Sequence, residues 1–238
     1  MSFQEFFEAC RRGDVEKIKN YITNKKNKKP RTPLNGWLAS SKDPSTHYTP
    51  LHYAALHGHH QACKILLGSD KLLSSARDRR GCVPLHLASW NGHFEAVKLL
   101  LETDPNIVDA VNNAQESPLH LAAQHGHDRL VRVLLENHAD PRLRNARFET
   151  PLDVAARTGH ALVCKILVGF CPELTLQVHF PAKAELASER LEHGLTTPDI
   201  RKRQRAVSVI LSHRSMDFGK KMCENFDDGR VLSTWTAT

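Results

Sequence analysis

The sequence predicts an all-α fold, a solenoid of stacked helix-turn-helix units joined by hairpin-like connectors. Four similar segments begin at Tyr48, Cys82, Glu116 and Glu149, and their aligned prolines are 34, 34 and 33 residues apart. Each segment opens on a Pro-Leu pair, continues to a Gly-His pair and ends on two apolar residues. The chain has 238 residues and is 40% hydrophobic, which is enough apolar material to bury a core along such a stack.

The first helix of each unit is predicted to begin at the aligned proline. A proline there loses no hydrogen bond, because the first N–H of any helix is unpaired, and a preceding hydroxyl caps the helix. These caps are Thr49, Ser117 and Thr150. Small residues then allow a close approach to neighbouring helices, and the following glycine takes the left-handed conformation that ends the helix.

A second helix is predicted from the Gly-His pair to the closing apolar pair. Its apolar face is typified by Ala96, Val97, Leu100 and Leu101. Neither helix buries its apolar face alone, so successive pairs must stack, and the stability of the stack is roughly a sum of repeat and interface terms. Polar connectors such as 77–81, 112–115 and 144–147 form the turns between units.

The period of about 33 residues and the TPLH-like openings resemble the ankyrin repeat. The resemblance implies four full units, at residues 47–79, 80–113, 114–146 and 147–175. Residues 1–22 resemble a first ankyrin repeat that has lost its opening and acts as an N-terminal cap. The intervening residues 23–46 are rich in Lys, Asn, Ser and Pro and are expected to form a flexible, exposed insert.

Residues 1–175 also resemble a narrower group, the amino-terminal region of Odin-type ankyrin repeat and sterile alpha motif (SAM) scaffolds. The similarity lies in the degenerate first repeat, the insert and the phrases that begin at Gly81 and Arg144. Those relatives are multidomain cytoplasmic adaptors of receptor tyrosine kinase signalling, with SAM and phosphotyrosine-binding domains. The resemblance implies a non-enzymatic adaptor, in a truncated, spliced or diverged form, because no repeat phrase follows Leu174.

Residues 176–238 are expected to be a C-terminal tail, partly disordered, with two short helices. One is predicted over Ala182–His193, and the other begins after a Thr197 cap with Pro198 at its first position. The second helix places Ile200, Val207, Ile210 and Leu211 near one face. Two alternatives stay open: a helix that covers the open end of the last repeat, or disorder.

Catalytic and metal sites are not expected, and neither is a cofactor. The 15 histidines recur in two phases of the repeat, which predicts structural hydrogen bonds between units rather than zinc ligands. The phases are His52, His86 and His120, and His59, His93, His127 and His160. Asp153 replaces the first-phase histidine in the last unit, so the bond between units must differ there. The GxSxG, HExxH, P-loop and GxGxxG motifs are missing from the sequence.

The location is expected to be cytoplasmic, with a nuclear fraction as an alternative. No apolar run approaches the ~20 residues that span a bilayer, and the amino terminus lacks the pattern of a secretory signal. The six cysteines form no CxxC pair and are expected to be small buried hydrophobic residues. The net charge of +7 lies in the flanks, because residues 47–175 carry 13 basic and 13 acidic side chains.

Other proteins are the predicted partners, bound on the concave surface by the variable positions that end each first helix. Trp90 is the strongest candidate, since Trp and Arg are enriched at binding hot spots; ordinary packing between helices is the alternative. The candidate positions are Leu56, His57, Trp90, Asn91, Gln124, His125, Arg157 and Thr158. Connector tips extend this surface at Arg79, Arg80, Asn113, Arg147 and Phe148.

A second hypothesis concerns the basic cluster Arg201, Lys202, Arg203 and Arg205. As a basic helix it would bind acidic phospholipid, calmodulin or an import receptor, or it is simply a solvated helix face. The phrase RQRAVS has the spacing at which basophilic kinases recognise a serine, which makes Ser208 a candidate phosphosite. Nucleic acid is a weak candidate partner, because a recognition motif and an aromatic stacking platform are both missing.

Overall fold

The described part of the chain, residues 2–28, 36–176 and 201–213 of a computed structural model, consists of α-helices and short 3₁₀ turns without a strand. The α-helices are α1 (Phe3–Arg12), α2 (Val15–Lys28), α3 (Trp37–Ser40), α4 (Pro50–Leu56), α5 (His60–Ser69), α6 (Pro84–Asn91), α7 (Phe94–Thr103), α8 (Pro118–Gln124), α9 (Asp128–Glu136), α10 (Pro151–Thr158), α11 (Ala161–Phe170) and α12 (residues 201–213). The 3₁₀ turns are Lys71–Leu73, Pro105–Ile107 and Pro172–Leu176. The predicted all-α solenoid is confirmed.

The helices stack in two parallel rows. In the first row α1, α4, α6, α8 and α10 pack in sequence, and in the second row α2, α5, α7, α9 and α11 do the same. Each opening Pro-Leu phrase sends its leucine into the shared core, where the side chain is fully buried. These leucines are Leu51, Leu85, Leu119 and Leu152. One continuous core therefore runs along the stack, as the unpartnered apolar faces of single units require.

The Gly-His pairs lock each unit to the one before it. Gly92 ends α6 with a φ of 76°, and a Cβ built on it would lie 2.7 Å from the imidazole of His127 in the next unit. That imidazole donates from Nε2 to the carbonyl oxygen of Trp90, at 3.0 Å. The same glycine–histidine contact recurs at three other junctions, Gly13–His59, Gly58–His93 and Gly126–His160.

The other histidine phase joins the start of each first helix to the next connector. Nδ1 of His86 accepts from the backbone N–H of Val83 at 3.1 Å, and Nε2 donates to the carbonyl oxygen of Glu116 at 3.0 Å. His52 and His120 make the equivalent bonds. Because an N–H faces Nδ1 and a carbonyl faces Nε2, only the neutral imidazole fits both partners. The histidines of this phase are thus structural, as their recurrence predicts.

Asp153 replaces that histidine in the last full unit. Its Oδ2 accepts from the hydroxyl of Thr150 at 2.7 Å, so the helix cap is preserved. Its Oδ1 is buried and has no hydrogen-bond partner among the described residues. The carboxylate therefore keeps the cap and lacks the forward bond to a further connector.

The second helix of the first repeat differs from its predicted boundary at residue 22. α2 continues to Lys28, beyond that boundary. Ile18 is fully buried, and the ring of Tyr21 stacks on that of Phe6 with centroids 4.2 Å apart. Lysine favours a helix, and the three lysines of residues 23–28 extend α2 even though the asparagines around them are typical of a loop.

The expectation of a flexible, exposed insert over residues 23–46 is wrong for residues 36–46. Leu38 of α3 is fully buried in the core. The N–H of Ala39 donates to Asp70 Oδ2 at 3.2 Å, and the hydroxyl of Tyr53 donates to Asp43 Oδ2 at 2.7 Å. One apolar helical turn, Trp37–Ser40, anchors this segment. The polar residues around it gave the whole insert the composition of a loop, so the turn was not predicted.

The end of the last repeat is covered by α12, one of the two alternatives left open for the tail. Ala206 and Ile210 are fully buried and belong to the shared core, with Val209 packed beside them. Leu211 does not share that face as predicted, since it is 45% exposed; adjacent helical positions point about 100° apart. The predicted helix Ala182–His193 and the positions Thr197, Pro198 and Ile200 lie outside the described residues.

Candidate functional site

The predicted variable positions lie where a first helix ends and its backbone is held by the next unit. The carbonyl oxygens of Leu56, Trp90 and Gln124 accept from His93, His127 and His160 respectively, each at 3.0 Å. A residue whose carbonyl is bonded across a repeat junction has little freedom to shift. Side chains at these positions are therefore presented on a rigid edge.

Trp90 is the largest side chain on this edge and is 41% exposed. Its ring lies 4.6 Å from that of His125, which lies 6.1 Å from the ring of His127. Partial burial, with the nearby His127 and His160, lowers the pKa of His125, so this imidazole is neutral near pH 7. Trp90 and His125 together offer a partly exposed aromatic surface without charge.

A groove of about 480 Å³ opens beside Trp90. Leu87 of α6 and Leu121 of α8 line it and are almost fully buried. Leu56, Trp90 and Asn113 also contribute to its walls. The groove is thus large enough for one or two side chains of a partner and has apolar contacts at its base.

The connector between α5 and α6 places two arginines at the groove. The backbone of this connector is tied to the next one, because the N–H of Asn113 donates to the carbonyl of Arg80 at 2.9 Å and its side-chain amide donates to that of Arg79 at 3.2 Å. Both arginines are exposed. The Arg80 guanidinium donates to the hydroxyl of Tyr48 at 3.4 Å, which keeps it near the groove.

Arg77 in the same connector has a structural role. Its guanidinium donates to the carbonyl oxygens of Gly81 at 2.8 Å and Val111 at 2.6 Å. These two bonds join neighbouring connectors. Arg77 therefore joins neighbouring connectors, whereas Arg79 and Arg80 face solvent at the groove.

A second group of predicted residues surrounds Glu149 in the connector before α10. Arg147 and Arg157 approach its carboxylate at 2.9 and 2.7 Å. Burial alone would raise the pKa of Glu149, but hydrogen bonds from Asn145 and Arg157 hold it below its usual range. Phe148 stands beside this pair, 76% exposed and with a φ of 60°. Arg157 and Arg147 are thus held by an ion pair, and Phe148 is presented to solvent.

The structure brings together one subset of the predicted partner-binding residues and separates others from it. Leu56, Trp90, Asn91, Arg79, Arg80 and Asn113 line the same groove. Asn91 is less available than predicted, because its amide donates to the carbonyl of Leu56 at 2.7 Å. His57 lies beside His59, with ring centroids 6.0 Å apart, and the hydroxyl of Thr158 donates to Val154. Their role in partner binding stays a prediction.

Several groove residues were missed by sequence reasoning. Leu87 and Leu121 follow the first-phase histidine directly, where the other units have Tyr53 and Val154. Variation at that one phase is a signal that could have found them. Cys82 and Glu116 also line the groove, and their connector positions gave no such signal.

The described residues offer little for metal or thiol chemistry. They contain no group of three or more His, Cys, Asp or Glu side chains placed to hold a metal ion. Cys10, Cys63, Cys82, Cys164 and Cys171 are free and buried. Burial raises the pKa of Cys63 and that of Cys164 to about 12, so neither forms a thiolate near neutral pH.

The predicted basic cluster and phosphosite lie on α12. Arg201, Lys202, Arg205 and Ser208 are exposed, and Arg203 is half-buried. Arg201, Arg205 and Ser208 lie on the side of the helix away from Ala206 and Ile210, whereas Lys202 and Arg203 begin the packed side, next to Gly159. The basic cluster therefore lies at the C-terminal end of the solenoid, on the last helix of the described residues.

Family comparisons match this architecture. A profile of ankyrin repeats (3 copies) matches residues 6–109, and a second, ankyrin repeats (many copies), matches residues 100–155. Residues 6–155 of the chain are ankyrin repeats. A search of curated proteins gave no match.

Ankyrin repeats are in general protein–protein interaction modules and generally lack enzymatic activity. Their presence indicates that other proteins are the partners of this chain. Among the described helices of this ankyrin chain, none combines the length and the apolar character needed to cross a membrane.

Proposed function

We propose that this ankyrin chain is a non-enzymatic adaptor that holds partner proteins in the groove beside Trp90. The observation that carries the proposal is a 41% exposed tryptophan on a backbone fixed by His127, next to an apolar groove with exposed arginines. Rigid aromatic anchors next to Arg are the residues that dominate binding energy at protein interfaces.

The groove has a definite chemical preference. An apolar partner side chain would pack between Trp90 and the leucines Leu87 and Leu121, and would lose contact with water there. Backbone carbonyls or carboxylates of the same partner segment would accept from Arg79 and Arg80 at the mouth. A short segment with an apolar residue beside an acceptor is therefore the proposed ligand of the groove.

The cellular role is proposed from the narrower resemblance. Similarity to the Odin-type scaffolds supports an adaptor in cytoplasmic signalling. The chain would supply an ankyrin platform there.

The test is quantitative affinity purification of the full chain from cultured cells. The comparison is between the wild-type protein, Trp90→Ala, and the pair Arg79→Ala with Arg80→Ala. Leu162→Ala is the matched control, since Leu162 is 54% exposed on α11, outside the groove. We expect groove variants to lose their specific partners by ~10-fold or more, the usual effect of removing a hot spot. If both groove variants keep every partner and their far-ultraviolet circular dichroism spectra match that of the wild type, the groove beside Trp90 is not the partner-binding surface.

A second candidate function is targeting through the basic cluster. Exposure of Arg201, Lys202 and Arg205 on a helix that is anchored by Ala206 and Ile210 favours it. A fluorescent fusion of the full chain, with these three residues changed to glutamine, would redistribute in cells if α12 sets the location. An unchanged distribution of that variant would remove targeting from consideration, and Trp90→Ala serves as the control that leaves the cluster intact.

A further inference from the structure

The helix α12 occupies the place of a second helix in a further repeat. Its segment 206–211, AVSVIL, aligns with the segment 96–101 of α7, AVKLLL. Ala206 and Ile210 are buried as Ala96 and Leu100 are, and Ser208 is exposed as Lys98 is. The aligned segments therefore agree at these positions, although Val207 is half-buried and Leu211 is exposed where Val97 and Leu101 are buried.

The contact at Gly159 places α12 at the same junction. At the four earlier junctions, the glycine that ends a first helix faces the histidine that precedes the next second helix. A Cβ on Gly159 would lie 2.8 Å from Cβ of Lys202 and 3.1 Å from the backbone nitrogen of Arg203. The start of α12 thus fills the space that the next histidine fills elsewhere.

Ser208 occupies a distinctive position in this register. The equivalent positions of the four preceding second helices carry exposed basic residues, Lys64, Lys98, Arg132 and Lys165. Only a neutral hydroxyl stands at this place on α12. A phosphate there would add a charge of about −1.5 to −2 at the end of a row of positive side chains.

The residues before Ser208 are those that a kinase with an acidic substrate groove reads. Arg203 and Arg205 precede it by five and three positions. In a helix, side chains two positions apart point about 200° away from each other, and Arg203 is half-buried while Arg205 is exposed. In an extended chain the two arginines would point to the same side. The folded helix therefore hides the motif that the extended chain displays.

We propose that Ser208 is a phosphate acceptor for basophilic protein kinases and that it becomes available only when α12 leaves the end of the solenoid. The Ser208 Oγ attacks the γ-phosphorus of a nucleoside triphosphate bound to the kinase. The new O–P bond forms as the bond from that phosphorus to the β,γ-bridging oxygen breaks, the nucleoside diphosphate leaves, and the hydroxyl proton passes to the base of the kinase. Docking of α12 through Ala206 and Ile210 is the gate.

The acceptor is tested on the full chain with the catalytic subunit of cyclic-AMP-dependent protein kinase and magnesium ATP. Mass spectrometry locates and times the modification. We expect phosphate on Ser208, none at that position in Ser208→Ala, and a rate ~10-fold lower in Arg205→Ala, the loss of about one charge-assisted hydrogen bond.

The gate is tested by loosening the buried face of α12. Ile210→Ala removes core contacts and should raise the rate of Ser208 phosphorylation by ~10-fold or more, with Ile210→Val intermediate. Ser212→Ala, on the exposed side, should leave the rate unchanged. If Ser208 is phosphorylated in Ile210→Ala but not in the wild-type chain, the result supports a tightly docked α12.

Two results would overturn the proposal. Absence of phosphate from Ser208 in both the wild-type chain and Ile210→Ala would exclude the acceptor. Equal rates in those two proteins, with faster hydrogen exchange of α12 in the variant, would exclude the gate. Because no partner protein enters either assay, failure here is separate from failure of the proposed adaptor function.

Discussion

At the scale of single residues, the histidines of the repeat do two different structural jobs. His52, His86 and His120 are buried and bonded on both ring nitrogens, whereas His93, His127 and His160 use Nε2 to hold the end of a helix in the preceding unit. Both jobs need a donor at Nε2. The first job also needs an unprotonated Nδ1, which makes it sensitive to pH.

The first prediction is that the protein loses stability as the pH falls from about 6.5 towards 4. Burial lowers the pKa of His52 and that of His86 to about 4, whereas an unfolded histidine titrates near 6.5. The unfolded chain therefore binds more protons in this window, and stability present above pH 6.5 is lost as acid is added. We expect a loss on the order of 2 kcal/mol at pH 5 for each of the two histidines.

Urea unfolding followed by circular dichroism between pH 7.5 and 5 measures this loss. His86→Gln is the comparison, because it removes one titrating group. It should be less stable at pH 7.5 and should show a shallower dependence on pH. A midpoint that is constant across this range in the wild-type protein would contradict the prediction.

The second prediction contrasts two glycines. Gly126 has a φ of 72°, and a Cβ there would lie 2.4 Å from the His160 ring. Gly68 lies in α5, and no described residue comes within 4 Å of its Cβ position. Gly126→Ala should lower the free energy of unfolding by more than about 1 kcal/mol, because it combines a strained backbone with a clash. Gly68→Ala should raise it by about 0.5–1 kcal/mol, because alanine favours a helix.

Thermal unfolding of the two variants beside the wild type checks this contrast. Equal shifts in the same direction would mean that backbone geometry at the junction does not decide stability. A gain in stability for Gly126→Ala would show that the His160 contact is absent in solution.

At the scale of elements, each first helix begins with the same cap, but one cap is incomplete. Ser117 Oγ lies 2.9 Å from His120 Nδ1, and Thr49 Oγ1 lies 2.8 Å from His52 Nδ1. Val83 occupies the cap of α6 and has no hydroxyl. α6 carries Trp90, so the helix that presents the main candidate residue has the weakest cap.

The third prediction is that Val83→Thr stabilises the protein. The two side chains have nearly the same shape, and the new hydroxyl would reach His86 as the hydroxyl of Thr49 reaches His52. A completed cap contributes about 1 kcal/mol. The melting temperature, measured by differential scanning calorimetry, should rise, whereas Val83→Ala should lower it. A lower melting temperature in Val83→Thr would indicate that the buried hydroxyl is left unpaired.

At the scale of the whole molecule, stability should depend on nearest neighbours along the stack. The described helices contact their own unit and the adjacent ones, and α12 supplies the last interface through Ala206 and Ile210. In such a solenoid a weakened end frays first, and the effect declines with distance.

The fourth prediction is that Ile210→Ala increases hydrogen exchange mainly in α10 and α11. Helices α4 and α5, three units away, should keep their protection, because their interfaces are intact. Hydrogen exchange with mass spectrometry on the full chain measures both regions in one experiment. Uniformly faster exchange along the stack would mean that the solenoid unfolds as a single cooperative unit.

The candidate site was only partly predictable from the sequence. Repeat phase identified Leu56, Trp90 and Asn91 as variable positions, and the structure places all three at one groove. Repeat phase could not reveal that Glu149 holds Arg157 in an ion pair, or that the Asn91 amide donates to the carbonyl oxygen of Leu56. Those pairings join residues from different turns or units, and their distances follow from packing rather than from spacing.

The sequence by itself determined the repeating architecture of this protein, because proline, glycine and histidine act locally and recur in phase. Only the tertiary structure decided how the insert and the C-terminal end of the stack are packed. Leu38 and Ile210 become core residues because other units leave an apolar face unpartnered, near the 3₁₀ turn Lys71–Leu73 for Leu38 and at the end of the last repeat for Ile210. The composition of a segment cannot predict such a face, because other units of the solenoid create it.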